Sequence, residues 1–250
     1  MTSTYDRIAR FYDVDMAQNM RFDDVAFYAH QCGRQPGRVL EMGCGNGRIL
    51  LQLALRGIDV TGVDASQAML AGLARKAATR GIVPRILRAD ARRLPLRRAF
   101  ATVLAPYSLV TYMTTAKDAA ALIAAACAVL LPGGRLVLDA FVPRSVASRA
   151  GFGEDYRRAF GAFTLIRSKR ITALDDATNR IERRYELANP DGRVVERFDV
   201  SEVIRPCTPA MLRDAVLAAG MTPIDEAFDY GTRPDAADAQ FFTLVARLPR

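Results

Sequence analysis

Tryptophan is absent and histidine occurs once, at position 30. A single imidazole leaves histidine-rich metal centres and Ser-His-Asp or Cys-His catalysis with one candidate, and no G-x-S-x-G elbow accompanies it. Flanked by Phe27, Tyr28 and Ala29, His30 reads as a helix-face residue rather than a catalyst. The four cysteines, Cys32, Cys44, Cys127 and Cys207, stand far apart, and no C-x-x-C pair is present. They are expected to be free thiols in a reducing compartment, with no metal bound. Long apolar runs are missing too: the longest, 119–131, has 13 residues, against the roughly 20 that a membrane-spanning helix needs. The N-terminus carries charge and aromatics where a signal peptide would place an apolar stretch. Together these features predict a cytoplasmic protein without a membrane anchor.

What is present fits one globular domain over 1–250, half apolar and a quarter charged. The net charge is +8, and only Lys76, Lys117 and Lys169 are lysine, so 32 of the 35 basic residues are arginine. The arginines are scattered, the densest group being Arg88, Arg92, Arg93, Arg97 and Arg98, and no run of like charge reads as a nucleic-acid arm.

From Arg38 onward, short apolar runs alternate with helical patterns, as a parallel sheet wrapped by helices requires. Strands are predicted at 39–42, 58–63, 85–89, 101–105 and 135–141. Helices are predicted at 48–56, after Ser66 as N-cap with Met69, Leu70, Leu73 and Ala77 on one face, and before a stop at Pro132, Gly133 and Gly134. After Pro143 the pattern changes to three strands of an antiparallel meander at 163–172, 180–187 and 194–204. A helix at 209–219 and a strand pair at 222–230 and 241–246 close the chain, and 5–28 reads as one or two amphipathic helices. The predicted organisation is a helical cap (1–37), a core (38–143), an antiparallel insertion (144–207) and a C-terminal part completing the sheet (208–250).

The chemistry-bearing segment is Glu41-Met42-Gly43-Cys44-Gly45-Asn46-Gly47, between a strand and a helix. Its glycines permit a tight turn and close approach of a ligand to backbone, and the following helix N-terminus favours an anion. Asp64 ends the second strand, where a carboxylate can accept from both hydroxyls of a ribose. The turn reads G-x-G-x-G rather than the dinucleotide G-x-G-x-x-G. The acid before it, Glu41, repels a pyrophosphate and attracts an amine. No lysine stands four residues after a tyrosine, so the Tyr-x-x-x-Lys pair of short-chain dehydrogenases is missing.

These segments resemble, in order over 38–143, the motifs of class I S-adenosylmethionine-dependent methyltransferases. The resemblance implies a Rossmann-like, doubly wound, mostly parallel α/β sheet with N-terminal helices and the antiparallel β insertion as a lid. It implies that the Glu41 to Gly47 turn, with Gly43, Cys44 and Gly45, holds the methionyl part of the cofactor, and that Asp64 takes the ribose while Ala65 and Met69 flank the adenine. Asp90 would accept from the adenine amino group and the Ala91 amide would donate to the ring, with Ala105 completing the cofactor site. Tyr5-Asp6 and Phe11-Tyr12-Asp13 resemble the Y-D-x-x-A-x-x-Y-D signature of bacterial small-molecule methyltransferases, in which Tyr12 and Arg21 would close over the methionyl end. The insertion is similar to the lid of amino-sugar and related natural-product N-methyltransferases.

Leu104-Ala105-Pro106-Tyr107-Ser108 lacks the acid or amide of the [DN]-P-P-[YF] signature, which argues against methylation of DNA adenine. Tyr107, Ser108, Tyr112 and Phe141 instead are expected to wall a pocket for a small acceptor. With no histidine base in place, a nitrogen acceptor of a heterocyclic or amino-sugar type metabolite is favoured over a hydroxyl. Tyr107, Tyr12 and Tyr5 are the candidates for orienting it. O-methylation, methylation of RNA or protein, and a nicotinamide oxidoreductase are the rival readings; monomer and homodimer remain equally open.

Overall fold

The computed structural model describes residues 4–17, 22–144 and 151–250. Three short helices come first: α1 (Thr4–Ile8), α2 (Tyr12–Met16) and α3 (Asp24–Gly33). A βα alternation follows through β1 (Val39–Met42), α4 (Leu50–Leu55), β2 (Val60–Asp64), α5 (Gln67–Ala78), β3 (Arg85–Arg88), β4 (Phe100–Ala105), α6 (Ala116–Val129) and β5 (Leu130–Phe141). Four long strands, β6 (Gly153–Phe160), β7 (Phe163–Ala173), β8 (Asn179–Ala188) and β9 (Val194–Ile204), precede α7 (Pro209–Ala218), β10 (Thr222–Phe228) and β11 (Phe241–Arg247).

The first sheet has seven strands in the order β10-β11-β5-β4-β1-β2-β3. Its pairs from β5 to β3 are parallel, and β11 runs antiparallel to β5 and β10. Strands β1 and β4 are buried along their whole length, because helices cover both faces and leave no solvent side to reward a polar alternation. The order reverses between β1 and β4, so the crevice beyond their carboxyl ends is where a ligand fits. Strands β6 to β9 form a separate antiparallel sheet in sequential order.

Ser66 caps α5 as its sequence suggests, accepting from the Met69 N–H at 3.1 Å, and Met69, Leu70, Leu73 and Ala77 are the buried residues of that helix. His30 lies exposed on α3, and all four cysteines are free. No helix among the described residues is long and apolar enough to cross a membrane.

Three expectations need correction. The second sheet has four strands, not three: β6 is half exposed and carries a bulge between Glu154 and Tyr156, which destroys the alternation by which a strand is read. Pro132-Gly133-Gly134 does not separate α6 from a strand starting at 135. Strand β5 already starts at Leu130, pairs Phe100 with Leu130, and absorbs the turn residues as a register shift against β4. The described residues of the N-terminal region hold three helices, where one or two were expected.

Candidate active site

The turn after β1 and the end of β2 are tied together by one carboxylate. Asp64 accepts from the Gly45 N–H and from the Ser66 N–H, each at 2.8 Å. Gly45 is left-handed (φ +51°), and the space its missing Cβ would fill is open. Gly47 (φ +85°) is constrained by contact instead, because a Cβ there would lie 2.7 Å from Leu73 Cγ on α5. Burial raises the pKa of Asp64 above the usual carboxylate range, against the pull of its two N–H donors.

Beneath the turn, Glu41 is fully buried and its Oε2 has no hydrogen-bond partner. Burial pushes its pKa well above the ordinary value, and the Arg48 guanidinium opposes that. Arg48 is itself held by both oxygens of buried Asp24 at 2.7 and 2.8 Å. Burial therefore favours the uncharged form of Glu41 beneath the turn.

Two cavities meet beyond the sheet. One, of about 350 Å³, runs over the glycine turn and is lined by Gly43, Gly45, Asp64, Ala65, Met69, Asp90 and Ala91. The other, of about 500 Å³, lies between the first sheet's carboxyl edge, the N-terminal helices and the inner face of the second sheet. Tyr5, Tyr12, Tyr107 and Tyr112 line both, so these four rings form the neck between them. Burial raises all four phenols above their ordinary pKa, Tyr112 to about 12. At neutral pH the neck is therefore polar but uncharged.

The structure thus brings most of the sequence-derived candidates together. Four of the described candidates line neither cavity: Glu41 and Cys44 are buried under the turn, Ala105 is in the strand core, and Ser108 turns inward. Arg21 lies outside the described residues. Ser108 is fully buried with Oγ unpartnered and lines neither cavity, because it turns inward at φ +59° beside Tyr107 at φ +53°. Phe141 lines the larger cavity only. The Asp90 carboxylate is forked by Arg92, at 2.7 Å to Nη2 and 3.0 Å to Nε, and Arg92 also reaches Asp118.

The left-handed Tyr107–Ser108 corner is held by Asp139 of β5, which accepts from the Tyr107 N–H at 2.9 Å, from Tyr28 OH at 2.5 Å and from Tyr230 OH at 2.7 Å. Sequence reading missed this carboxylate, since its donors come from residues remote in the chain.

It also missed the charged far wall of the larger cavity. Arg167 donates to Asp155 at 2.6 and 3.0 Å and pairs with Asp15 at 3.1 Å. Asp15 in turn accepts from Tyr185 OH at 2.7 Å and from Tyr156 OH. The bulge in β6 is what turns Asp155 toward Arg167. The available signal was the set Leu165, Arg167, Lys169 and Ile171, cations at the parity of an apolar strand face.

The smaller cavity suits a nucleoside. It offers an acid with lone pairs to spare at the β2 end, apolar flanks at Ala65 and Met69, and an open glycine cradle.

The comparisons with known proteins agree with that chemistry. The methyltransferase domain family matches residues 39–134. The demethylmenaquinone methyltransferase of Thermus thermophilus is 34% identical over 161 residues, 62% of this chain and 68% of that one. An S-adenosylmethionine-dependent methyltransferase from Clostridium acetobutylicum superposes with a TM-score of 0.79 at 18% identity, covering 99% of this chain and all of that one. CalS10, an amino pentose methyltransferase from Micromonospora echinaspora with S-adenosylmethionine bound, superposes with a TM-score of 0.72 at 25% identity, covering 99% and 97%.

Proposed function

Because this chain belongs to the S-adenosylmethionine-dependent methyltransferases, we propose that it methylates a nitrogen of a small heterocyclic or amino-sugar type metabolite by in-line displacement. The observation that carries the reading is the uncharged tyrosine neck joining a nucleoside-sized cavity to a second, larger one. On this reading 38–143 hold the cofactor, 1–37 cap it, and 144–207 form a lid over the acceptor.

When bound, S-adenosylmethionine supplies an electrophilic methyl group on a sulfonium. Asp64 holds the ribose, Ala65 and Met69 flank the adenine, and the Gly43 to Gly45 turn accommodates the methionyl part over Glu41. The neck tyrosines orient the acceptor and keep water from the line of transfer, so that alignment supplies the acceleration. A neutral amine needs no base. A hydroxyl benefits from one, and the carboxylates of the larger cavity are poorly suited: Asp15 is saturated by Arg167, Tyr156 and Tyr185. Burial works to raise Asp155, but Arg167 and Lys169 hold it below the usual carboxylate range. The amino pentose named for CalS10 carries both an amine and hydroxyls, so the preference for nitrogen rests on the lack of a suited base.

The test begins with calorimetric titration of S-adenosylhomocysteine into the wild type and Asp64→Ala. Two hydrogen bonds to a charged acceptor are worth about 1.5–3 kcal/mol each, so affinity is expected to fall at least about tenfold in the variant. Labelled methyl incorporation into matched amines and alcohols then separates N- from O-transfer. Label in the alcohols alone would overturn the nitrogen assignment.

A further inference from the structure

The far wall of the larger cavity is built from the inner face of β7 and β8, where Lys169 stands directly opposite Arg183. Like charges in directly opposed cross-strand positions destabilise a sheet, and their Cβ atoms lie about 4.5–5.5 Å apart. A sheet that keeps such a pair at a cavity wall needs a compensating charge there.

The neighbouring acids, Asp15, Asp155 and Glu202, match the three cations Arg167, Lys169 and Arg183 in number but leave donors unengaged. Asp155 is committed through Oδ2 to Arg167, and its Oδ1 lies 3.4 Å from Lys169 Nζ. Arg183 gives Nη1 to Glu202, while its Nε and Nη2 have no hydrogen-bond partner among the described residues. Its side chain is only 17% exposed and lines the larger cavity. Neither lysine nor arginine can accept a hydrogen bond. The donors left on Lys169 and Arg183 are therefore cationic, and Asp155 Oδ1 is the acceptor beside them.

We propose that Lys169 and Arg183 form a subsite for an oxyanionic substituent of the methyl acceptor, a carboxylate or a phosphate, on the wall of the larger cavity that Arg183 shares with Tyr5 and Tyr112. The inference rests on the methyltransferase reading for the identity of the cavity. It adds a constraint on the acceptor: an anionic oxygen group carried in the same molecule as the nucleophilic nitrogen. Arg183 is pre-oriented by Glu202, which suits it to forked contact with two oxygens. Lys169, half-exposed, contributes a point charge.

The experiment is calorimetric titration of pyrophosphate and, separately, of citrate into protein saturated with S-adenosylhomocysteine, for the wild type, Lys169→Met and Arg183→Lys. Lys169→Met keeps the aliphatic stem, and Arg183→Lys keeps a cation beside Glu202, so both variants retain the packing. One anion is expected to bind the wild type and to weaken at least tenfold in Lys169→Met, about 1.4 kcal/mol, with affinity for S-adenosylhomocysteine within twofold. Arg183→Lys is expected to weaken it as well, through loss of the fork. Preference for pyrophosphate indicates a phosphate substituent, and preference for citrate a carboxylate. If the cofactor product binds but neither anion does, or if Lys169→Met binds the anion as the wild type does, the subsite is overturned alone. If S-adenosylhomocysteine itself does not bind, the proposed function falls and the subsite with it.

Discussion

Asp139 shows how much one buried carboxylate can organise. It is fully buried, and burial raises its pKa from 3.8 to about 6 against the pull of Tyr28, Tyr230 and the Tyr107 N–H. A pKa raised in the folded state means that the folded protein holds the proton more tightly than the unfolded chain. The contribution to stability is then complete below about pH 4 and is lost as the pH rises to about 6. A shift of about two units corresponds to on the order of 3 kcal/mol. Asp139→Asn cannot titrate, so the difference in urea-unfolding free energy between wild type and variant is expected to move against the wild type from pH 4 to 6 and to be level above. A flat difference across that window would show the carboxylate ionised throughout, with its three donors outweighing burial.

At the scale of elements, the question is what seats the second sheet over the first. The short N-terminal helices do it by bonding both ways. Asp6 accepts from Ser66 Oγ at 2.6 Å at the start of α5, and Asp13 accepts from Asn46 Nδ2 at 2.9 Å and Lys76 Nζ at 2.7 Å. Toward the second sheet, Phe11 is buried against Phe160, Tyr185 and Phe198, with ring centroids 4.9, 5.9 and 6.0 Å away. Phe11→Ala is expected to cost about 3–5 kcal/mol in urea unfolding. It should also speed protease cleavage within 1–37; a cost under about 1 kcal/mol would place the docking energy elsewhere. Much of this level was readable from the chain alone. The sequence bounds of β1 and β9 are those observed, and the buried face of α5 is the one its spacing predicts, because apolar period is a local property. The imperfect alternation of β9 also has its reason: Glu202 faces inward to meet Arg183. What stayed hidden depends on distant partners. Strand β6 is masked by its bulge at Asp155, Asp139 gathers donors from three separate segments, and the cationic wall exists only once β7 and β8 pair in register.

At the scale of the whole molecule, a net charge of +8 raises the question of a nucleic-acid partner, and the placement of the arginines bears on it. On the outer face of the second sheet they are tied to acids: Arg170 to Glu182, Arg184 to Asp199, Arg197 to Glu186 and Arg157 to Glu154. Arg92, in the densest cluster, is shared between Asp90 and Asp118. Such exposed pairs add at most about 1 kcal/mol each to stability, yet they cancel the field that a phosphate backbone would follow. A track for RNA needs several cations that release counterions together, and its binding then falls steeply with salt. Only weak, sequence-blind association is expected here. In filter binding, bulk transfer RNA should be retained at about 50 mM salt and lost near 200 mM, in the range where a few phosphate contacts dissolve. The same RNA should take no labelled methyl group under conditions where a small amine does. Retention at 200 mM together with label in the RNA would shift the assignment to a macromolecular acceptor, and the larger cavity would then have to receive a single extruded nucleotide rather than a free metabolite.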